Sequence, residues 1–372
     1  MEIPKKMRAA RMHDIGGPLV VDEVDVPCPS DDDDVLVRIR SCGIVPNLAN
    51  VQRLFASIFP NLPLPPLPAI FGLDPAGEIV HVGRHVKGLR VGDRVYVNPM
   101  RVCDSCPHCV DGNYSSCEHY TFNGYFGFSP KSKEIYERYP SGGFAEYMKA
   151  PSYAVVKIPD RMSFDEAARL GYVGTAYAGL RRAKVGPEST VLIDGASGTL
   201  GLGGIISALA LGAGRILGVA RDRALLEEVK AIAPKRIDVW STHDGSSADW
   251  VREMTGGKGV DVAIECLPLG APPDQFLACF NSVRRGGVMV NVSGVIVDVP
   301  IPVADLAVKC ISLVGSTWFE PRETREMATL AENGLLDLSI FEHKVFGLDQ
   351  IDEAIKSMES RHGGFTNYVI HP

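Results

Sequence analysis

The chain has 372 residues, 45% of them hydrophobic, with 38 basic against 45 acidic side chains and a net charge of −7. That length suits about two domains with large buried cores, and the acidic balance argues against a nucleic-acid or anionic-membrane partner. No apolar run approaches bilayer length; the opening MEIPKKMRAARMHD has basic residues but no apolar core behind them, so it is not a secretory signal, and a cytoplasmic protein is expected.

The first 150 residues read as β-rich. VLVRIRSC, AGEIVHVG and GDRVYVNP are short strand-like runs broken by Gly, Pro and Asp. The acidic run PSDDDD before Val35 reads as a solvated turn. FPNLPLPPLPAIFG, Phe59–Gly72, is apolar with five prolines, so it cannot be a helix interior. It is expected as an extended segment on the core or as the wall of an apolar pocket. RVCDSCPHCVDGNYSSC follows and holds four of the nine cysteines: Cys103, Cys106, Cys109 and Cys117. An odd number of cysteines in so long a chain does not suggest a disulfide framework, and thiols spaced this closely read as metal ligands.

The texture changes near Pro151. TVLIDGAS reads as a buried strand, LGLGGIISALALGA as a helix, RILGVAR as a strand, ALLEEVKAIA as a helix, and VDVAIECL and GGVMVNVS as two more strands. This βαβ rhythm predicts an α/β fold with a doubly wound parallel sheet. Amphipathic helices (REMATLAENG, QIDEAIKSME) and a last strand, TNYVIHP, close the chain.

Gly195, Gly198 and Gly201 fall on a strand-to-helix turn, with Ser197, Thr199 and Leu200 between them. Glycine lets backbone amides approach a pyrophosphate, and the helix N-terminus behind the turn favours the anion. The strand before, the helix after and the second strand about 20 residues on are what a dinucleotide site requires. At the end of that second strand, where an NAD site carries an acid, the chain has Ala220, then Arg221 and Arg223. Guanidinium groups there suit a 2′-phosphate and predict NADP(H); Asp222 could still face a ribose, which keeps NAD(H) open.

These motifs, with VRIRSCGI, GLDPAGEIVHVG, VKGLRVGDRVYV, GGFAEYMKAP, GTAYAGL and GGFTNYVIHP, resemble the medium-chain, zinc-type alcohol dehydrogenase and quinone oxidoreductase superfamily over nearly the whole chain. The resemblance implies a β-rich GroES-like catalytic domain from residues 1–160 and 316–372, with a zinc lobe at 101–118, and a Rossmann domain at 161–315. It implies one structural zinc on Cys103, Cys106, Cys109 and Cys117, a closed set of four thiolates without an open position. The family's catalytic zinc needs three ligands, and the matching positions here hold Val45, Leu73 and Tyr172. A zinc-free active site is therefore expected.

Hydride chemistry without that metal needs hydrogen-bond donors at the substrate oxygen. Tyr172 is the first candidate, as donor or as a packing ring. Asn47 lies where relatives carry the Ser or Thr of a proton relay. Asp74, which follows Leu73, is the third catalytic candidate: a remnant of the old site, a buried acid with a new role, or an acid simply bonded to backbone or Arg. In GTAYAGL, Thr175 is a cofactor-binding candidate, and Tyr177 is expected to pack near the nicotinamide. TFNGYFGF and Trp318–Phe319 could line a hydrophobic pocket or simply pack. Cys42, Cys266, Cys279 and Cys310 are expected as inert buried thiols. The leading expectation is an NADP(H)-dependent reductase of a small apolar conjugated carbonyl compound, such as an enone or quinone. A metal-independent alcohol dehydrogenase or ketone–aldehyde reductase is the second reading, and a non-catalytic cofactor-binding protein the third. By analogy with the family, a homodimer or tetramer is expected.

Overall fold

The computed structural model describes residues 2–27, 32–292 and 294–372. Its centre is a six-stranded, wholly parallel sheet. Across it lie Ile237–Ser241, Arg215–Ala220, Thr190–Asp194, Val260–Glu265, Val283–Asn291 and Ser312–Gly315. Val191, Leu192 and Ile193 are all buried, as are Ile216 and Leu217. Such unbroken apolar runs are what a sheet covered by helices on both faces demands. In sequence order the strands lie 3-2-1-4-5-6, so the order reverses between Thr190–Asp194 and Val260–Glu265. A crevice at such a reversal is where dinucleotides bind.

A second sheet of seven strands is built from both ends of the chain. Val155–Lys157, Arg94–Val97, Asp74–Val82, Asp34–Gly43, Thr366–His371 and Glu342–Gly347 follow one another across it, and Tyr147–Pro151 also pairs with Asp34–Gly43. The C-terminal strand closes on the N-terminal half through Val369↔Gly43 and Ile370↔Cys42. Lys6–Met12 forms a smaller sheet with Leu19–Asp25 and Ala69–Ile70, the last of these at the end of the proline-rich segment.

The β-rich half also contains a helix, Leu48–Ile58, which buries Leu48, Val51, Gln52 and Phe55. Those positions follow the i, i+3, i+4, i+7 stripe of an amphipathic helix. The acidic run needs a correction as well. Residues 29–31 lie outside the described residues, and Asp32 and Asp33 pair with Arg84 and His85 near the surface. Asp34, however, is fully buried. It begins a strand whose first four residues are all buried. There it accepts a 2.7 Å hydrogen bond from the Tyr139 hydroxyl and lies 3.7 Å from Arg138 and 3.8 Å from Lys149. Among the described residues, no helix is long and apolar enough to cross a membrane.

Candidate active site and metal centre

In the cysteine lobe, Pro107 opens a short helix, Pro107–Val110, that carries Cys109 back toward Cys106. The four Sγ atoms all lie within 4.8 Å of one another. Cys106–Cys109 and Cys103–Cys117 are each 3.6 Å apart, and Cys103–Cys109 is 4.0 Å. Four sulfurs around a tetrahedral zinc at about 2.3 Å stand roughly 3.8 Å apart, so the lobe has the dimensions of such a site. Backbone N–H groups of Cys103 and Cys106 point at Cys117 Sγ and Cys103 Sγ, at 3.5 and 3.4 Å, and would support thiolate charge. Among the described residues, no other group of three or more His, Cys, Asp and Glu side chains comes close enough to share one ion.

The glycine turn joins the strand Thr190–Asp194 to the helix Thr199–Ala210. Gly195 has φ +85°, and a Cβ on Gly201 would stand 2.0 Å from the Gly195 carbonyl oxygen. The first position needs glycine for its backbone and the second for the close approach of helix to turn. Gly198 stands at the N-cap without a side chain to occupy the first-turn amides. Thr199 Oγ1 is buried with no hydrogen-bond partner among the described residues. Ser197 and Leu200 are buried beside it. An open helix N-terminus with an unpaired donor fits an anion. The turn also receives a segment from the far end of the chain, for Gly364 N donates to Ser197 O at 2.8 Å. Burial and the neighbouring Glu265 push the Asp194 carboxyl, at the foot of the turn, up to about 7.

Asp222, which the sequence left open as a ribose ligand, caps the next helix. Its Oδ1 accepts from Ala224 N and Leu225 N at 2.9 and 3.1 Å. Arg223 is paired with Asp244. Arg221 is exposed, and its guanidinium makes no hydrogen bond among the described residues.

Val45 and Leu73 are only 3% and 1% exposed, and their side chains join the core of the β-rich half. Tyr172 is half-buried near the start of the helix Leu170–Arg182, with its ring edge-on to Trp318 at 6.2 Å. Its hydroxyl donates to Asn47 Oδ1 at 3.3 Å. A second hydroxyl, from Tyr125, donates to the same oxygen at 2.8 Å. Tyr172 and Asn47 thus meet, although they are far apart in sequence.

Asp74 lies deeper. Its Oδ1 accepts from Tyr96 OH at 2.6 Å, and a Cβ on Gly171 would stand 2.1 Å from that same oxygen. Burial raises its pKa to about 7, against the opposing pull of the Tyr96 hydrogen bond and Arg169. Burial also pushes the Cys42 thiol up, with Asp74 adding to the effect. Arg169 is itself buried and donates to Gly364 O at 2.6 Å, so the acid and the segment on the glycine turn share one neighbour.

Thr175 turns its hydroxyl back to Gly171 O at 2.9 Å, within its own helix. Tyr177 donates to Glu326 at 2.9 Å. Cys42, Cys266 and Cys279 are buried, but Cys310 is exposed, because it ends the helix Val303–Lys309 in a left-handed conformation at the surface. Sequence reasoning missed Tyr125, Tyr96 and Arg169. Only Tyr125 lay in a stretch whose aromatic content drew attention, and none has a spacing that points to its partner.

Residues 31–160 match the alcohol dehydrogenase GroES-like domain family, and residues 199–333 the zinc-binding dehydrogenase family. An alcohol dehydrogenase of Geobacillus stearothermophilus is 31% identical over 330 residues, 88% of this chain and 90% of the relative. A quinone oxidoreductase-like protein 2 homolog of Nematostella vectensis is 30% identical over 369 residues, 96% of this chain and 87% of the relative. The chain belongs to the medium-chain, zinc-type alcohol dehydrogenase superfamily and is an oxidoreductase of that group. Among solved structures, that of AibC superimposes with a TM-score of 0.83 at 28% identity, covering 99% of this chain and 96% of the other.

Proposed function

We propose that the protein is an NADP(H)-dependent reductase of small, apolar conjugated carbonyl compounds, with a zinc-free active site and one structural zinc held by Cys103, Cys106, Cys109 and Cys117. The observation that carries the reading is the pair of buried alkyl side chains, Val45 and Leu73, at two positions where the superfamily's catalytic zinc takes ligands. With the Tyr172 phenol at the third, the set offers no thiolate or imidazole, so these residues do not fit that metal. The four-cysteine lobe does fit one.

The bound nicotinamide cofactor would supply the hydride. Asn47 and Tyr172 form the polar pair that would hold the substrate oxygen, and Val45, Leu73 and Trp318 belong to the apolar cluster against which the Tyr172 ring packs. A conjugated acceptor suits this modest polarity. Hydride joins the β carbon, the π electrons move to oxygen, and a solvent proton at the α carbon completes the saturated ketone. Arg221, exposed and unpaired among the described residues beside the second strand, would take the 2′-phosphate. Asp222 commits its Oδ1 to the helix cap. We place the catalytic domain at residues 1–160 and 316–372 and the cofactor domain at 161–315. A homodimer or tetramer would cover the exposed Val303, Val308 and Leu313 beside the edge strand Ser312–Gly315.

The test is the product from NADPH and 2-cyclohexen-1-one. Cyclohexanone upholds the reading. The allylic alcohol would make the protein a metal-independent carbonyl reductase. Tight NADPH binding without turnover on any acceptor would favour a non-catalytic role.

A further inference from the structure

We infer that Tyr125 is a positioning residue for the reaction: its buried hydroxyl fixes the Asn47 amide so that Nδ2, not Oδ1, faces the substrate oxygen. The inference rests on the proposed reading only in taking a substrate oxygen to lie in this cleft.

The argument begins with what Asn47 does not do. It occupies the N-cap of Leu48–Ile58, a position where asparagine ordinarily accepts from its own helix. Here it makes no such bond. Its side-chain oxygen instead collects two phenol protons, from Tyr125 at 2.8 Å and Tyr172 at 3.3 Å. A helix that forgoes its cap loses about 1 kcal/mol, so the alternative contacts need a reason.

The two tyrosines are not equivalent. Tyr172 is half-buried, and its contact with Asn47 is the longer of the two. Tyr125 is 2% exposed and is held by aromatic neighbours: Phe71 edge-on at 6.1 Å and Phe126 at 5.0 Å. Among the described residues, Asn47 Oδ1 is the only acceptor its hydroxyl reaches. Burial holds the phenol well above its ordinary pKa, so it keeps its proton. If the amide turned over, that proton would face an NH2 group, and a buried donor would be left unpaired. Tyr125 therefore sets the orientation of the amide. With Oδ1 committed, Nδ2 has no partner among the described residues, and Asn47 itself is exposed. A fixed N–H donor beside Tyr172 is what an oxygen gathering negative charge requires. Tyr172 then spends its own proton on Asn47, which makes the amide, and not the phenol, the first donor to the substrate.

The test uses the full-length protein with NADP+ and 4-nitrophenol, whose anion mimics the charged oxygen and whose colour reports ionisation without turnover. Wild type is expected to bind the phenolate and to lower the dye's apparent pKa. Tyr125→Phe keeps the ring and is expected to bind the phenolate about tenfold more weakly, with kcat on 2-cyclohexen-1-one about tenfold lower and KM within about twofold. Asn47→Asp keeps the acceptor but loses the N–H, and phenolate binding should fall by about 100-fold or more. Since Asn47 is at the surface, this variant tests the idea even if Tyr125→Phe folds poorly. Phenolate binding in either variant equal to wild type overturns the inference, as does a wild type that leaves the dye's pKa unchanged. If phenolate binding depends on Tyr125 while the enone yields an allylic alcohol, the inference stands and the enone reading falls. If cyclohexanone forms and neither variant changes, the reverse holds.

Discussion

In the cysteine lobe four side chains of one chemical kind converge until their sulfurs lie within 4.8 Å. In the cleft, the buried Val45 and Leu73 offer no such ligand, and the polar groups there bond to one another. Asp74 has Tyr96, and Asn47 has Tyr125 and Tyr172. Thiolate charge in the lobe would need a cation to neutralise it. Charge in the cleft is suppressed, by burial at Asp74 and by neutral amide and phenol groups elsewhere. On the proposed reading, the fold retains the metal place that shapes a loop and rebuilds the other for a different way of holding oxygen.

The largest expected effect lies in the lobe. Cys109→Ser should take zinc from one per chain to none by elemental analysis. It should also cost at least about 4 kcal/mol of stability, since binding at a closed metal site is part of folding. Two tightly bound zincs in wild type would break the contrast outright.

Asp74 gives the next largest effect. An unfolded aspartate titrates near 3.9, whereas burial holds this one up to about 7. Between those values the native state binds a proton that the unfolded chain has released, so stability falls as pH rises through the window and stays low above it. Asp194, also raised to about 7, acts in the same direction. Asp74→Asn cannot ionise yet still offers Tyr96 an acceptor. Relative to wild type it should show little change at pH 4 and gain about 4 kcal/mol at pH 8. Urea unfolding at the two pH values checks this, and equal effects at both would mean the carboxyl ionises freely.

Arg221→Ala should raise the Kd for NADPH about 10- to 100-fold, the loss of a charge-assisted contact, and leave NADH binding nearly unchanged. A parallel loss for both cofactors would assign Arg221 to the common part of the dinucleotide.

Much of this was legible in the sequence because it is local. The strand-turn-helix of Gly195–Gly201, the βαβ rhythm and the cysteine spacing each fit within a short window, where periodicity and turn chemistry act. The two sheets and the family follow from them. Two of the misses are long-range and one is a local turn of the backbone. Asp34 looked like part of a solvated run because its partners Arg138, Tyr139 and Lys149 are more than 100 residues away. Tyr125 sat in a stretch noted for its aromatics, but its partner lies 78 residues upstream. Cys310 read as apolar context and proved exposed, because a left-handed helix end turned it outward. No spacing rule reports which side of a fold a residue will meet.

The smallest effect sharpens the contrast within a single helix. Tyr172 and Tyr177 are both on Leu170–Arg182, five residues apart. At about 100° per residue they point roughly 140° away from each other. Tyr172 reaches Asn47 in the cleft, and Tyr177 reaches Glu326 on the helix Pro321–Glu332. Glu326 also holds Arg181 at 3.1 Å, so it keeps a partner if the Tyr177 hydroxyl is removed. Tyr177→Phe should therefore cost only about 1 kcal/mol in stability and leave kcat and phenolate binding unchanged. Tyr172→Phe should lower kcat, because the amide loses one of its two anchors. If the effects were exchanged, the face of the helix that carries chemistry would be the one turned toward Glu326, and the cleft at Asn47 would be only a place where aromatic rings pack.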